Sequence, residues 1–155
     1  MNVLALDLGT HTGWALHTDG TVLYDTAVFR PGRYQGGGMR YVQFRSDLAI
    51  HHQVGLDAVY FEEVRRHAGV TAAHVYGGFL AVLSAYCEQH NIPYAGVPVG
   101  TIKRHWTGKG NASKAAMIAA ARARGYEPSD DNQADALALL DYALVTWHSN
   151  DKESV

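Results

Sequence analysis

The sequence predicts an α/β fold: a mixed five-stranded sheet, made of a three-strand antiparallel meander plus two parallel strands, with helices on both faces. Three observations lead there. Residues 3–29 hold short apolar runs separated by turn signals rather than by helical spacing. After them, strand-like runs alternate with longer helical patterns, the order that produces right-handed parallel crossovers. A length of 155 residues, with 47% apolar and 18% charged side chains, suits a single domain with a sizeable buried core.

Residues 3–6 form a continuous apolar run, short enough for a central strand covered on both sides, and Asp7 ends it. Gly9, Thr10 and Gly13 follow as a turn. Residues 14–17 and 21–24 flank Thr18-Asp19-Gly20, whose Asp-Gly pair is a hairpin signal, and residues 26–29 supply a third strand. Residues 31–38, with four glycines and a proline, are a loop into a helix over 39–53. There Tyr41, Phe44, Leu48 and Val54 recur at helical spacing, and Gly55 stops the run. Residues 57–61 are a fourth strand whose end delivers Glu62 and Glu63. A helix over 71–90, rich in Ala, Leu and Val, ends at Asn91 and Pro93, and residues 93–97 form the fifth strand. Ser113 caps a short Ala-rich helix that runs to Arg124 and stops at Gly125. Pro128-Ser129 starts the last helix, over 130–147. From His148 the chain is polar, so residues 1–148 read as one domain and 149–155 as a frayed tail.

A net charge of −2 hides a segregation of sign. Between Gln89 and Tyr126 no acidic residue occurs, while Lys103, Arg104, Lys109, Lys114, Arg122 and Arg124 do. Arg30, Arg33, Arg40 and Arg45 lie in a second acid-free tract, from Thr26 to Ser46. Such segregation points to an anionic partner. The lone Cys87 cannot form an internal disulfide and reads as a buried small hydrophobe. Nine scattered histidines match no zinc spacing. No apolar stretch approaches the ~18 residues of a membrane span. The N-terminus has no basic region ahead of its apolar run, so a cytoplasmic protein without membrane association is expected.

The acidic residues carry the chemistry. If the first crossover pairs the fourth strand with the first, Asp7 and Glu62 end adjacent strands. Two carboxylates there repel one another in a partly buried cleft unless a cation sits between them, which a divalent metal provides. Strand alternation sends only one of Glu62 and Glu63 into that cleft. The third contribution is "SDDNQADALALL", residues 129–140. Asp135 lies four residues after Asp131 and three after Asn132, so these side chains converge on one side of the helix while Asp130 projects elsewhere. The helix macrodipole accounts for acids in a first turn, but not for Asp135, set among small and apolar residues. Oxygen ligands, without cysteine or an all-histidine set, suit Mg²⁺ or Mn²⁺ better than zinc. Two such ions, roughly 3.5 to 4 Å apart, clamp the attacking water and the leaving 3′ oxygen of an in-line phosphodiester displacement.

Over nearly its whole length the chain resembles the RuvC-type Holliday junction resolvases of the ribonuclease H-like superfamily. "LALDLGTHTGWAL" is similar to that family's first strand and glycine turn, with the first catalytic aspartate at Asp7. "AVYFEEV" resembles its fourth-strand motif and selects Glu62 over Glu63; "NQADALALL" resembles its final-helix signature and selects Asp135 and the position three residues earlier. At that position the family has Asp or His. This chain has Asn132, an oxygen donor without charge, and Asp131 is the alternative ligand. "IKRHWTGKGNASK" reproduces, in Lys103 and Lys114, the separation of two family lysines that approach the scissile phosphates. After Glu62 typical bacterial members place an aromatic residue that stacks at the junction centre. Here Val64, Arg65 and Arg66 follow instead, and arginine can stack or grip phosphate. The compact length and this drift point to a phage or prophage version.

The resemblance implies a ribonuclease H-like fold and a Mg²⁺-dependent endodeoxyribonuclease, with Mn²⁺ substituting and two ions per site. It further implies a homodimer that resolves four-way DNA junctions by paired hydrolysis, with no nucleotide cofactor. Asp7, Glu62, Asp135 and either Asn132 or Asp131 hold the metal; Lys114 joins the catalytic set; Lys103, Arg104, Lys109, Lys114, Arg65 and Arg66 bind DNA. The glycines after Asp7 then leave room for a DNA backbone to approach. The helix over 71–90, with the small residues Ala72, Ala73, Gly77, Gly78 and Ala81, is the candidate dimer surface. Two other functions fit parts of the sequence. "DLGT" after an apolar strand also resembles the phosphate turn of actin-like nucleotide-binding modules, although the chain is too short for their duplicated half. A catalytically inactive relative that binds branched DNA is the second, and intact Asp7, Glu62 and Asp135 stand against it.

Overall fold

The Asp19-Gly20 pair closes the hairpin that the sequence calls for. Both residues take positive φ, 51° and 70°, the conformation that matches a two-residue turn to the right-handed twist of its strands. In the computed structural model, which describes residues 1–153 and side chains through Trp147, that turn joins β2 (His11–Thr18) to β3 (Thr21–Val28). β1 (Val3–Asp7) pairs antiparallel with β2 and parallel with β4 (Ala58–Glu63), which pairs parallel with β5 (Tyr94–Pro98). The sheet order is β3-β2-β1-β4-β5, the mixed five-stranded arrangement expected. Helices α1 (Met39–His52), α2 (Val70–Gln89), α3 (Val99–Thr107), α4 (Lys114–Ala123) and α5 (Asp131–Glu153) complete the fold.

Strand alternation divides the core. Val3, Ala5 and Ala15 point to the face covered by α5 with α3 and α4. Leu4, Leu6, Leu16, Val59 and Phe61 point to the face covered by α1 and α2. Cys87 is buried on that second face, where burial pushes its thiol up to about 11, so it is an inert hydrophobe.

Four elements differ from the sequence expectation. β2 starts at His11 rather than at residue 14. Residues 21–24 and 26–29 are not two strands: Asp25 and Thr26 continue the ladder opposite Trp14 and Gly13, because on an edge strand the Asp25 side chain stays exposed and the Thr26 hydroxyl finds a partner in Asp130. Helix α3 was not expected at all. It follows β5 directly, buries Ile102 and Trp106 one turn apart, and ends where Gly108 takes φ 86°. Finally, α5 continues to Glu153 instead of ending at residue 147; residues 154–155 of the expected tail lie outside the described residues.

Helix α2 also corrects the expectation of no long apolar stretch, since an 18-residue window within its 20 residues reaches a mean hydropathy of 1.4, enough to cross a membrane by length and composition alone. In the fold its Phe79, Leu83, Tyr86 and Cys87 face the core. Of its small residues, Gly78 lies beneath the Tyr41 ring of α1, whereas Ala72, Gly77 and Ala81 are exposed and Ala73 is half-buried.

Gly13 is where two distant parts of the chain meet. It pairs with Asp7 across the β1–β2 ladder, and a Cβ there would overlap the backbone carbonyl of Asn132 in the first turn of α5. The space this glycine leaves is therefore filled by the chain's own helix, not left open for DNA. Because the obstacle is backbone, Gly13→Ala is expected to destabilise the fold by about 3 kcal/mol, a fall in Tm of about 10 °C. Thermal melting checks this; a Tm within 2 °C or so of the parent would show that α5 can shift at little cost.

Candidate metal centre

The same alternation that divides the core selects the acids. Asp7 has the parity of Val3 and Ala5, and Glu62 that of Tyr60, so both carboxylates stand on the α5 side at the C-terminal ends of neighbouring parallel strands. Glu63 has the opposite parity and its Oε1 accepts from Arg65 Nε at 3.2 Å. The backbone after Glu62 is held by Tyr76 of α2, whose hydroxyl donates to the Glu62 carbonyl at 2.8 Å and accepts from Val64 N–H at 3.2 Å. Nothing in the sequence pattern singled out Tyr76, because its role depends on where α2 crosses the end of β4.

The third acid arrives with α5, whose first turn is tied to the far edge of the sheet. Asp130 caps the helix: its Oδ1 accepts from Gln133 N–H at 2.8 Å and its Oδ2 from the Thr26 hydroxyl at 2.7 Å. Tyr24 Oη accepts from Glu127 N–H at 2.9 Å. Asp130 thus projects away from Asp7, as the spacing predicted, and the helix it anchors swings Asp135 toward the strand ends. Asp7, Glu62 and Asp135 each offer a carboxylate oxygen within 4.8 Å of the other two, and all three are half-buried.

Their electrostatics are those of a site short of positive charge. Burial raises Asp7 well above the usual carboxylate range, and Glu62, Asp135 and Asp131 add repulsion. Asp7 and Glu62 share a hydrogen bond, which favours the proton on Asp7 and the charge on Glu62; Glu62 is nevertheless raised, chiefly by burial, against the pull of Lys103. Asp135 is pushed up to about 7 by burial, with repulsion from Glu62 and Asp131 exceeding the help of Lys103 and Lys114. Three half-buried carboxylates, clustered and offering only oxygen donors, fit a hard divalent cation. The cluster can hold a metal ion.

The basic residues divide in their relation to it. Lys103, on α3, and Lys114, the first residue of α4, both act on Asp135, and Lys114 Nζ lies 3.4 Å from Asp131 Oδ2. Trp106 holds α3 and α4 together by donating from Nε1 to the Met117 carbonyl at 3.0 Å, with the Arg124 guanidinium 3.7 Å from its ring centroid. Arg124 therefore serves packing. Lys109 and Arg104 are exposed, the latter with its guanidinium near Gly110. Arg65 and Arg66 are exposed and line a groove with Glu63, Val64, Pro98 and Gly100. Asn132 meets Gly13 through its backbone, whereas Asp131 acts electrostatically on both Asp7 and Asp135. A second groove, of about 560 Å³, starts at the Leu8–Gly9–Thr10 turn and runs past Val64 and His67 to Tyr76.

No family model matches the sequence, and no curated protein matches it. Solved structures do. Thermus thermophilus RuvC in complex with a Holliday junction substrate superimposes with a TM-score of 0.74 at 22% identity, covering 90% of each chain. A second Thermus thermophilus RuvC structure gives 0.69 at 22% identity and the same coverage. The yeast mitochondrial Holliday junction resolvase Ydc2 gives 0.58 at 15% identity, over 88% of this chain and 75% of that one. The mixed sheet with helices on both faces is thus the ribonuclease H-like fold of these RuvC structures.

Proposed function

We propose that this chain is a metal-dependent endonuclease that resolves four-way DNA junctions. The observation that carries it is the convergence of Asp7, Glu62 and Asp135 from β1, β4 and α5 on one point of this fold. Asp7, Glu62 and Asp135 would hold the cation, with Asp131 or Asn132 completing the set; all-oxygen donors suit Mg²⁺, or Mn²⁺ in its place, and in-line phosphodiester hydrolysis would use two ions per site. Divalent cations held there would supply an activated water and charge stabilisation for the leaving 3′ oxygen.

The chain's own groups do the rest. The carboxylates fix the direction of attack because strand ends and a capped helix leave them little freedom. Lys114 exchanges Asp131 for a phosphate oxygen, and Lys103 neutralises the backbone beside Glu62 and Asp135. Arg65 and Arg66 track the phosphates on one flank, with Arg104 and Lys109 farther out. Paired cuts require two such sites, so the functional unit is a homodimer, for which the exposed side of α2 that carries Gly77 and Ala81, one turn apart, is the candidate surface. A DNA substrate and a single reduced cysteine fit a cytoplasmic setting, and no nucleotide cofactor is needed.

Incubating the purified protein with four-way junctions, three-way forks and linear duplex, in Mg²⁺ or Mn²⁺, tests this directly. Paired nicks at opposed positions of the four-way junction are expected, with linear duplex left intact. Equal cutting of linear duplex would remove the junction selectivity, and ATP hydrolysis without DNA cutting would favour the actin-like alternative.

A further inference from the structure

The acid-free tract from Thr26 to Ser46 surrounds a feature that the metal centre does not use. Tyr34 is 92% exposed, the barest large apolar side chain among the described residues. It does not hang on a slack loop. Gln35 N–H donates to the Gly32 carbonyl at 3.0 Å and Gln35 Oε1 accepts from Gly32 N–H at 2.6 Å, closing a four-residue turn with Arg33 and Tyr34 at its tip. The Arg33 guanidinium lies 5.5 Å from the Tyr34 ring centroid. The stems are pinned too: Arg40 Nε donates to the Phe29 carbonyl at 3.1 Å, Gln43 Nε2 to the Arg30 carbonyl at 2.9 Å, and the Phe29 ring packs on Phe44 and Phe79.

Topology brings the start of this segment to the end of the sheet that carries the acids, although its stem packs on the α1 and α2 face and the acids stand on the α5 face. β3 ends at the edge of the sheet where β2 begins and β1 ends, and Phe29 N–H donates to Thr10 O at 2.8 Å, three residues past Asp7. β3 lies two strands from β1, a lateral offset of about 10 Å, or roughly three base steps of a nucleic-acid strand. The opposite flank, Val64 to Arg66, offers cations and no aromatic ring.

Resting on the nuclease function proposed above, we infer that the Gly32–Gln35 turn is a second DNA contact, in which Tyr34 stacks on an unpaired or splayed base near the branch point while Arg30 and Arg33 hold the adjoining phosphates. Tyrosine presents a flat face to any base, so this contact favours opened over fully paired DNA without reading sequence. Gly36, Gly37 and Gly38 after the turn are exposed, and a Cβ at any of them would meet nothing, so the chain beyond Gln35 adds no side-chain bulk.

Fluorescence anisotropy in Ca²⁺, a cation chosen to limit cutting, tests it with a four-way junction, a single-stranded oligonucleotide and a linear duplex. Tyr34→Ala is expected to weaken binding of the junction and the single strand about tenfold, with duplex affinity unchanged and Tm unaltered, and Tyr34→Phe to bind like the parent. Affinities within twofold or so for Tyr34→Ala on both opened substrates, with the parent binding them well, would overturn the stacking contact and leave the nuclease function standing. A parent protein that binds none of the three DNAs would overturn both.

Discussion

Asp7→Asn is expected to reduce Mg²⁺-dependent cutting of a four-way junction by on the order of a thousandfold or more while leaving junction binding within a few-fold. The substitution keeps the size of the side chain and one oxygen donor and removes the negative charge. Repulsion from Glu62, Asp135 and Asp131 all falls on Asp7, more than on either partner, so its charge is the one a shared cation would relieve most. Asp135→Asn should act in the same way. Glu63→Gln provides the contrast: Glu63 is the immediate neighbour of Glu62 but faces away toward Arg65, and cutting should change by no more than a few-fold. Full activity in Asp7→Asn, or equal losses in Glu63→Gln and Asp135→Asn, would show that the chemistry lies elsewhere. DNA binding should survive because the groups assigned to the phosphates, Lys103, Lys114, Arg65 and Arg66, are untouched, and loss of one negative charge favours an anionic ligand.

Asp7, Glu62 and Asp135 were legible in the sequence because each depends on local periodicity. An apolar run of strand length fixes the parity of Asp7, the run before Glu62 and Glu63 sends one of the two to the same cleft and the family resemblance selects Glu62, and a helical stripe of small and apolar residues isolates Asp135. What remained hidden depends on contacts between distant segments. That Gly13 serves Asn132 rather than DNA follows from how closely α5 approaches the sheet, and no spacing near Gly13 records it. Lys114 and Asp131 pair because α4 and α5 lie side by side, and Tyr76 reaches Glu62 because α2 crosses the end of β4. Helix α3 was missed for a different reason. Val99, Ile102 and Trp106 recur at helical spacing and Gly108 marks a helix stop, but the nine residues follow β5 directly, with Pro98 at the N-cap and no capping side chain, so no start signal separates the helix from the strand before it. The basic tract reflects the same limit. Sign segregation pointed to Lys103 and Lys114 as well as to Arg124, and only packing against Trp106 reveals that Arg124 is structural.

Metal-free protein is expected to be most stable in mild acid, and to lose roughly 5 °C or more in Tm between pH 5 and pH 8. Asp7, Glu62 and Asp135 are all raised in the folded state, Asp135 to about 7, whereas in the unfolded chain they titrate near 4. Between those values the folded state binds more protons than the unfolded one, so stability falls as pH rises, and the loss is complete above the folded-state values. For Asp135 alone the ceiling is on the order of 4 kcal/mol; partial solvation and coupling to its neighbours reduce it to a few kcal/mol for the cluster. A divalent cation offsets the repulsion by occupying the space between the carboxylates. Mg²⁺ or Mn²⁺ at about a hundred times its Kd should restore about 2.7 kcal/mol at pH 8 and little at pH 5, where protons compete for the same oxygens. Asp7→Asn should raise the metal-free Tm at pH 8, flatten the pH dependence and weaken the response to cation. This separates the acid cluster from surface carboxylates and histidines, whose titration the variant leaves in place. Melting curves at several pH values, with EDTA or with added Mg²⁺, measure all three quantities. A metal-free Tm that rises from pH 5 to pH 8, with the same slope in Asp7→Asn, would mean that the three carboxylates are neither strained by one another nor poised to receive a cation.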